Sequence, residues 1–125
     1  MTADVVQLAG QADVTEWRPV VGYEGRYLVS NTGFVWIVRK QRLLGMELSD
    51  SGHLTVQLWK NNRKRRLQVH CLVLEAFVGP RPEGLECCHY DGDAFNNNVA
   101  NLRWDTRSAN TYDAYRHRAM RALSA

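Results

Sequence analysis

LECCHYDGDAFNNNVANLRWDTRSANTYDA spans residues 85–114, and we predict that the rest of this chain supports this segment. It contains one histidine, five asparagines and two adjacent cysteines. So many short polar side chains would not suit a core segment, and the alternation of Leu102 and Trp104 would not suit a plain surface loop. We therefore interpret the stretch as a small scaffold that holds polar groups in fixed positions, which indicates a functional site.

The pattern within this stretch predicts a strand, a polar loop, a second strand and a helix. We predict the first strand over residues 85–90, the loop over residues 91–98 and the second strand over residues 99–105. Leu102 and Trp104 would then lie on one face of the second strand. Ser108 is a suitable N-cap for a helix that continues to Leu123.

The chain upstream is predicted to form two β-hairpins and one short helix. Strands over residues 27–29 and 34–38 flank a turn that contains Gly33, and residues 45–52 are a loop. Residues 53–59 alternate apolar and polar, and the chain returns at residues 67–69 after a basic tip over residues 60–66.

The segment after this hairpin, HCLVLEAFV (residues 70–78), has apolar residues at helical spacing and is stopped by Gly79 and Pro80. We interpret His70 as a structural hydrogen-bonding residue. The fold class is therefore α+β, with N-terminal β-hairpins and a short helix leading into a C-terminal ββα unit.

The size and composition of the chain exclude several classes of protein. With 125 residues it forms one domain, or two small modules that share a core. No apolar run approaches the roughly 18 residues of a membrane span, and no basic segment precedes an apolar one at the N-terminus. We therefore expect no membrane association and a cytoplasmic location. Three cysteines, two of them adjacent, indicate reduced thiols and not a disulfide framework.

Basic residues are clustered although the net charge of +3 is small. Five of the seven residues from Lys60 to Arg66 are basic. Such a cluster attracts phosphate, but the same side chains would also suit a solvated hairpin tip and a solvated helix face. Charge alone supports the two interpretations equally. The candidate DNA contacts are Arg39, Lys40, Arg42, Lys60, Arg63, Lys64, Arg65, Arg66, Arg107 and Arg116.

The polar residues of the opening stretch suit the hydrolysis of a phosphodiester. A histidine at a strand end is a candidate general base. An asparagine carbonyl can bind a hard divalent cation such as Mg²⁺, and a second asparagine can orient the imidazole. Composition alone does not distinguish this site from a polar structural loop.

Several spaced motifs resemble the HNH endonuclease family, in the form found in phage and intron-encoded homing enzymes. The matching pieces include His70-Cys71-Leu72-Val73, His89-x-Asp91-Gly92, Asn97-Asn98, Asn101-Leu102-x-Trp104 and Asn110. Upstream, residues 16–35 are similar to the modular DNA-binding motif that often precedes such nucleases. The two resemblances cover nearly all of the chain.

The resemblance implies a ββα-metal (HNH) motif in which the polar residues have separate roles. His89 would be the general base, and Asn101 would orient that histidine or its loop. Asn110, in the first turn of the helix, would ligate one divalent cation. The remaining polar positions would be structural, with Asp91 and Gly92 shaping the loop and Asn97 and Asn98 closing it by side-chain to backbone hydrogen bonds. Trp104 would be structural as well.

Two positions depart from the family pattern. Cys88 lies where many members have an acidic metal ligand, and a thiol is a poor ligand for Mg²⁺. We therefore expect one cation held by Asn110, water and DNA phosphate, with Mn²⁺ or another transition metal as alternatives to Mg²⁺. Phe34 replaces a more usual Arg, which weakens the case for a DNA contact at that turn. Cys71, Cys87, Cys88 and His89 are not expected to form a structural zinc site, because adjacent cysteines on a strand point to opposite faces.

The resulting prediction is a phage-like, metal-dependent HNH nuclease that acts on double-stranded DNA. Residues 1–15 would be a flexible tail, residues 16–68 a β-rich DNA-binding module and residues 69–125 the nuclease module. A homodimer or a larger phage assembly would be compatible with this organisation. Two other functions stay open: a catalytically weak or inactive HNH-fold DNA-binding module, and a module that binds an acidic protein through its basic hairpin.

Overall fold

The computed structural model describes residues 14–108. Within this range the chain forms three antiparallel sheets and one α-helix, which confirms the predicted α+β class. The first sheet has the strand order β1-β2-β3-β4, the second β5-β6-β7, and the third β8-β9. The elements are β1 (Trp17–Pro19), β2 (Tyr27–Ser30), β3 (Val35–Ile37), β4 (Arg42–Leu43), β5 (Glu47–Leu48), β6 (Leu54–Lys60), β7 (Arg63–Gln68), α1 (Val69–Phe77), β8 (Glu86–His89), a 3₁₀ helix (Val99–Asn101) and β9 (Leu102–Asp105).

The first predicted hairpin is confirmed as β2 and β3, with Val29 opposite Val35. Its turn is closed by Ser30, whose Oγ accepts from the Phe34 N–H at 2.9 Å. Gly33 has a φ of 97°, a conformation that side chains with a Cβ rarely adopt. The sequence did not reveal the edge strands β1 and β4, which are two or three residues long.

The second hairpin is confirmed, but the predicted extent of its basic tip, residues 60–66, is wrong. The strands continue through Lys60 and resume at Arg63, so the turn contains only Asn61 and Asn62, with φ of 53° and 62°. Asparagine tolerates this left-handed conformation, which matches the twist of a tight hairpin. The basic residues 63–66 therefore lie on the strand β7 and not in a loop. Part of the predicted loop over residues 45–52 is also a strand, β5, which pairs with β6.

The helix α1 lies at the centre of one shared core. It packs against strands of all three sheets, and its buried face includes Leu72, Val73 and Leu74. The core continues into the first sheet through Val29 and Val35 and into the second through Val56 and Leu58. No helix of the described part is long and apolar enough to cross a membrane.

The third sheet is the strand pair predicted from the opening stretch, with His89 opposite Leu102. The second strand is shorter than predicted, because residues 99–101 form a 3₁₀ turn. Asn98 caps that turn by accepting from the Ala100 N–H. The helical conformation already begins at Arg107, so Ser108 is not the N-cap. The rest of the predicted helix and nearly all of the predicted tail lie outside the described residues, and the division at residue 68 stays a prediction.

Candidate active site

His89 ends β8 and is buried, with 7% of its surface exposed. Its Nε2 donates to the Oδ1 of Asn97 at 2.9 Å, because an amide oxygen can only accept. This bond places the proton on Nε2, so Nδ1 is the nitrogen able to accept a proton. Burial lowers the pKa of His89, and the hydrogen bond to Asn97 opposes this lowering. The neighbouring His70 and His53 lower the pKa further. The ring is therefore neutral at pH 7, as a general base requires.

Three histidines from three different elements meet at this point. The ring centroid of His70, at the start of α1, lies 4.9 Å from that of His89 and 4.8 Å from that of His53. His53, just before β6, lies 6.0 Å from His89. Burial and then the neighbouring His70 lower the pKa of His53. His53 could not be identified from the sequence, because no local pattern relates it to His70 and His89, which follow 17 and 36 positions later.

The predicted loop residues organise the chain after His89. Asn101 donates from Nδ2 to Asp91 Oδ1 and to the Asn96 carbonyl, and its Oδ1 accepts from the Asp91 N–H. The pKa of Asp91 lies below its usual value. Burial alone would raise this pKa, but the hydrogen bonds from Asn96, Asp93 and Asn101 outweigh that effect. Gly92 follows with a φ of 73°. Asn101 thus contacts the loop, and Asn97, which was predicted to close the loop, instead contacts the imidazole.

Cys87 and Cys88 point to opposite faces of β8, as expected from strand alternation. Cys87 shares the face of His89 and belongs to the shared core. Cys88 is fully buried, and its Sγ donates to the Glu86 carbonyl at 3.6 Å. The position of the usual acidic ligand is therefore on the other face from the candidate base. Asn110, the second predicted ligand, lies outside the described residues.

The candidate DNA contacts lie on two separate surfaces. Arg39, Lys40 and Arg42 line a groove of about 1000 Å³ that is bordered on its other side by Gln57 and Trp59. Lys64 and Arg66 are the cross-strand partners of Trp59 and Gln57, so they share that face of the hairpin. A smaller pocket of about 610 Å³ is lined by Arg63 and Arg65 together with Lys60.

The other predicted positions differ in how freely they can reach a ligand. Lys60 donates to the Gly22 carbonyl at 2.6 Å and is thus engaged within the protein. Arg107 is mostly exposed and lies 3.8 Å from the Glu86 carboxylate. Trp104 is structural, because its indole N–H donates to the Gly79 carbonyl at 3.3 Å. Arg116 lies outside the described residues.

Comparisons with known proteins identify what the chain is similar to. Residues 67–112 match the HNH endonuclease family, and residues 16–59 match the NUMOD4 motif. DNA endonuclease I-HmuI of Bacillus phage SP01 is 39% identical over 95 residues, which are 76% of this chain and 55% of I-HmuI. The uncharacterized HNH endonuclease L245 of Acanthamoeba polyphaga mimivirus is 31% identical over 89% of this chain and 31% of the relative.

The fold is also similar to a solved structure, described as DNA binding and cleavage by the HNH homing endonuclease I-HmuI. The TM-score is 0.75 at 37% identity, over 81% of this chain and 58% of that one. The chain therefore spans little more than half the length of I-HmuI.

Proposed function

We propose that this chain, which belongs to the HNH endonuclease family, hydrolyses phosphodiester bonds of double-stranded DNA with the help of a divalent cation. The observation that carries the proposal is the buried His89, held by Asn97 with Nδ1 as its basic nitrogen. The relatives support the same reaction class, since I-HmuI is a DNA endonuclease that binds and cleaves DNA.

In the proposed reaction His89 is the general base. Its Nδ1 accepts a proton from water, the water oxygen bonds to phosphorus, and one phosphorus–oxygen ester bond breaks. The leaving oxygen takes a proton from solvent. Asn97 keeps the imidazole in the required tautomer, while Asn101 stabilises the loop that carries Asp91 and Asn97.

The cation is the part of the proposal that depends on residues outside the described range. Within residues 14–108, Asp91 uses both carboxylate oxygens in loop hydrogen bonds, and Cys88 offers a soft sulfur on the far face of β8. These residues do not form a Mg²⁺ site by themselves. We propose Asn110, water and DNA phosphate oxygens as ligands of Mg²⁺ or Mn²⁺. A bound cation would stabilise the negative charge that develops on the phosphate and on the leaving oxygen.

Phosphate contacts would come from the exposed cations of both surfaces, namely Arg39, Lys40 and Arg42 beside the groove and the basic residues 63–66 of β7. If about five phosphates are neutralised, the logarithm of the binding constant should fall with the logarithm of the salt concentration at a slope of about −4 to −5. We further propose a cytoplasmic site of action in a phage-infected cell, with a homodimer or a phage assembly as the context of cleavage.

The test is nicking of supercoiled plasmid in Mg²⁺ and Mn²⁺ by the wild type and by His89→Ala. We expect metal-dependent nicking by the wild type and its loss in His89→Ala, with DNA binding in chelator unchanged between the two. Nicking that survives His89→Ala would reject His89 as the base. A protein that binds DNA but does not nick it with any metal would be the inactive HNH-fold binding module. Cys88, in place of an acidic metal ligand, is the observation that favours this alternative. A protein that does not bind DNA even at low salt would instead support an acidic protein partner.

A further inference from the structure

A cluster of soft donor atoms lies between α1 and β8. The ligand atoms of His70, Cys71 and Cys87 all lie within 4.8 Å of one another. Within residues 14–108 this is the single group of three or more histidine, cysteine or acidic side chains close enough to share a metal ion. His70 and Cys87 are buried, with 3% and 8% of their surfaces exposed, and Cys71 is half-buried. The cluster contains no oxygen donor, so it differs in kind from a Mg²⁺ site.

The backbone holds these donors in place without a ligand. His70 and Cys71 are the second and third residues of α1, and Cys87 is fixed on β8 by its pairing with Trp104. The helix packs against both strands of that sheet through the shared core. His70 Nδ1 is buried and has no hydrogen-bond partner within the described part of the chain. A buried nitrogen without a partner is unfavourable, and a metal ion would satisfy an imidazole nitrogen of this kind.

We propose that His70, Cys71 and Cys87 bind one Zn²⁺ ion, with water as the fourth ligand. Zinc takes thiolate and imidazole ligands in a tetrahedron, with bonds of about 2.3 and 2.0 Å. The donors would then be separated by roughly 3.5–3.8 Å, which requires only a small contraction of the cluster. Both thiols lose their protons on binding. The neighbouring Cys87 thiol lowers the pKa of Cys71 to about 5, whereas Cys71 and burial raise the pKa of Cys87. Zinc would also immobilise the His70 ring against which His89 packs.

This cluster differs from the set of Cys71, Cys87, Cys88 and His89, which the sequence did not favour as a zinc site. That set required both adjacent cysteines to reach one ion, and Cys88 points away from Cys87 on the strand. In the structure His70 lies beside Cys71 and Cys87, and neither Cys88 nor His89 belongs to the cluster. Cys88 thus supplies a matched control, since it is a buried thiol next to a proposed ligand.

The test uses the full chain, reduced and stripped of metal, titrated with Co²⁺ as a spectroscopic probe and then with Zn²⁺. We expect one equivalent of Co²⁺ to give thiolate-to-metal charge-transfer absorption and tetrahedral d–d bands, both abolished by Zn²⁺. Cys71→Ser and Cys87→Ser should weaken Co²⁺ binding by more than roughly 10–100-fold, which is the loss typical when a residue that hydrogen-bonds to a metal ligand is replaced. Cys88→Ser should keep the spectrum. Cys71→Ser carries the lower folding risk, because Cys71 is half-buried.

A second readout follows the thiols directly. Zn²⁺ should protect two of the three cysteines from a thiol reagent in the wild type, and the third should react only on unfolding. The proposal is overturned by an absence of charge-transfer absorption, by its persistence in Cys71→Ser, or by its loss in a folded Cys88→Ser. None of these readouts depends on DNA cleavage, so they are independent of the nuclease proposal.

Discussion

At the scale of single residues, the chemistry of His89 depends on its neighbours more than on its own type. Burial lowers the pKa of the ring, and two nearby imidazoles make a positive charge there still less favourable. The amide oxygen of Asn97 then selects which nitrogen carries the single proton. A neutral ring with a fixed tautomer follows from packing and from one hydrogen bond.

Asn97→Ala tests the hydrogen bond to His89. Loss of a bond worth about 1–2 kcal/mol should lower kcat/KM for plasmid nicking roughly 5–30-fold. The bond favours the protonated ring, so its loss should also move the acid limb of the pH–rate profile to lower pH. Asn98→Ala is the control, because Asn98 caps the 3₁₀ turn and does not contact the ring. Unchanged kcat/KM, or a loss of rate with an unmoved acid limb, would contradict the orienting role.

The depressed pKa values of His53 and His89 predict how stability depends on pH. Both groups start from an unfolded value of 6.5, and the folded protein binds their protons less readily. The contribution of the two neutral histidines to folding stability is therefore fully present above pH 6.5. It is lost as the pH falls below this value, because the unfolded chain takes up protons first. The raised pKa of Glu75, caused by burial, acts in the opposite sense.

The contribution of His53 can be measured by comparing the wild type with His53→Gln. The free energy of unfolding of both proteins is determined in urea from about pH 7.5 to about pH 5. Glu75 is common to both proteins and cancels in the comparison. We expect the stability of His53→Gln to fall less steeply below pH 6.5. Parallel curves would show that His53 is not held neutral by the fold.

At the scale of elements, the turn between β2 and β3 supports the loop of the candidate active site. The Asn31 carbonyl accepts from the Val99 N–H at 2.8 Å. A Cβ added to Gly33 would lie 2.7 Å from the Cβ of Asn97 and 3.2 Å from its carbonyl oxygen. The first sheet thus contacts the residue that holds His89, so the two predicted modules are coupled through this turn.

Gly33→Ala should disturb the site through its contact with Asn97. The φ of 97° is unfavourable for alanine, and the contact with Asn97 must open. We expect a loss of about 1–3 kcal/mol in stability and a fall in kcat with little change in KM. Gly52→Ala has a similar φ of 87° but no close neighbour, so it should lose stability without the specific loss of kcat. Equal kinetic effects in both variants would indicate general destabilisation and not displacement of Asn97.

At the scale of the whole molecule, local patterns predicted the elements but not the contacts between them. The alternation of Leu54, Val56 and Leu58 was sufficient for β6, and helical spacing was sufficient for α1. Asn61 and Asn62 carried the signal of a two-residue turn, which the clustered charge of their neighbours obscured.

The assembled sites depend on packing that no local pattern encodes. His53, His70 and His89 meet only because α1 packs against both the second and the third sheet. Asn97 and Asn101 are chemically equivalent, and closure of the loop decides which amide faces the imidazole. The grouping of His70 and Cys71 with Cys87 likewise follows from the packing of a helix on a strand.

The distance between the candidate base and the basic strand predicts where DNA is held. His53 lies beside His89 at one end of the second hairpin, and Lys60 and Arg63 pair at the other end. Seven residues of strand span about 24 Å, which is roughly seven base pairs at 3.4 Å each. Arg66 pairs with Gln57, four residues from His53, which corresponds to about four base pairs. DNA lying along the hairpin would meet β7 between these limits.

Phosphate contacts should therefore occur about four to seven base pairs to one side of the cut, as measured by ethylation interference or hydroxyl-radical footprinting on a nicked site. Replacement of Arg63, Lys64, Arg65 and Arg66 by Gln should remove protection on that flank and reduce the salt slope by about 2–4. The opposite flank is the internal control and should keep its protection. A footprint centred on the cut, or one that is unchanged by the four substitutions, would show that DNA does not follow β7. The exposed charge of that strand would then serve solubility, as a solvated basic surface does.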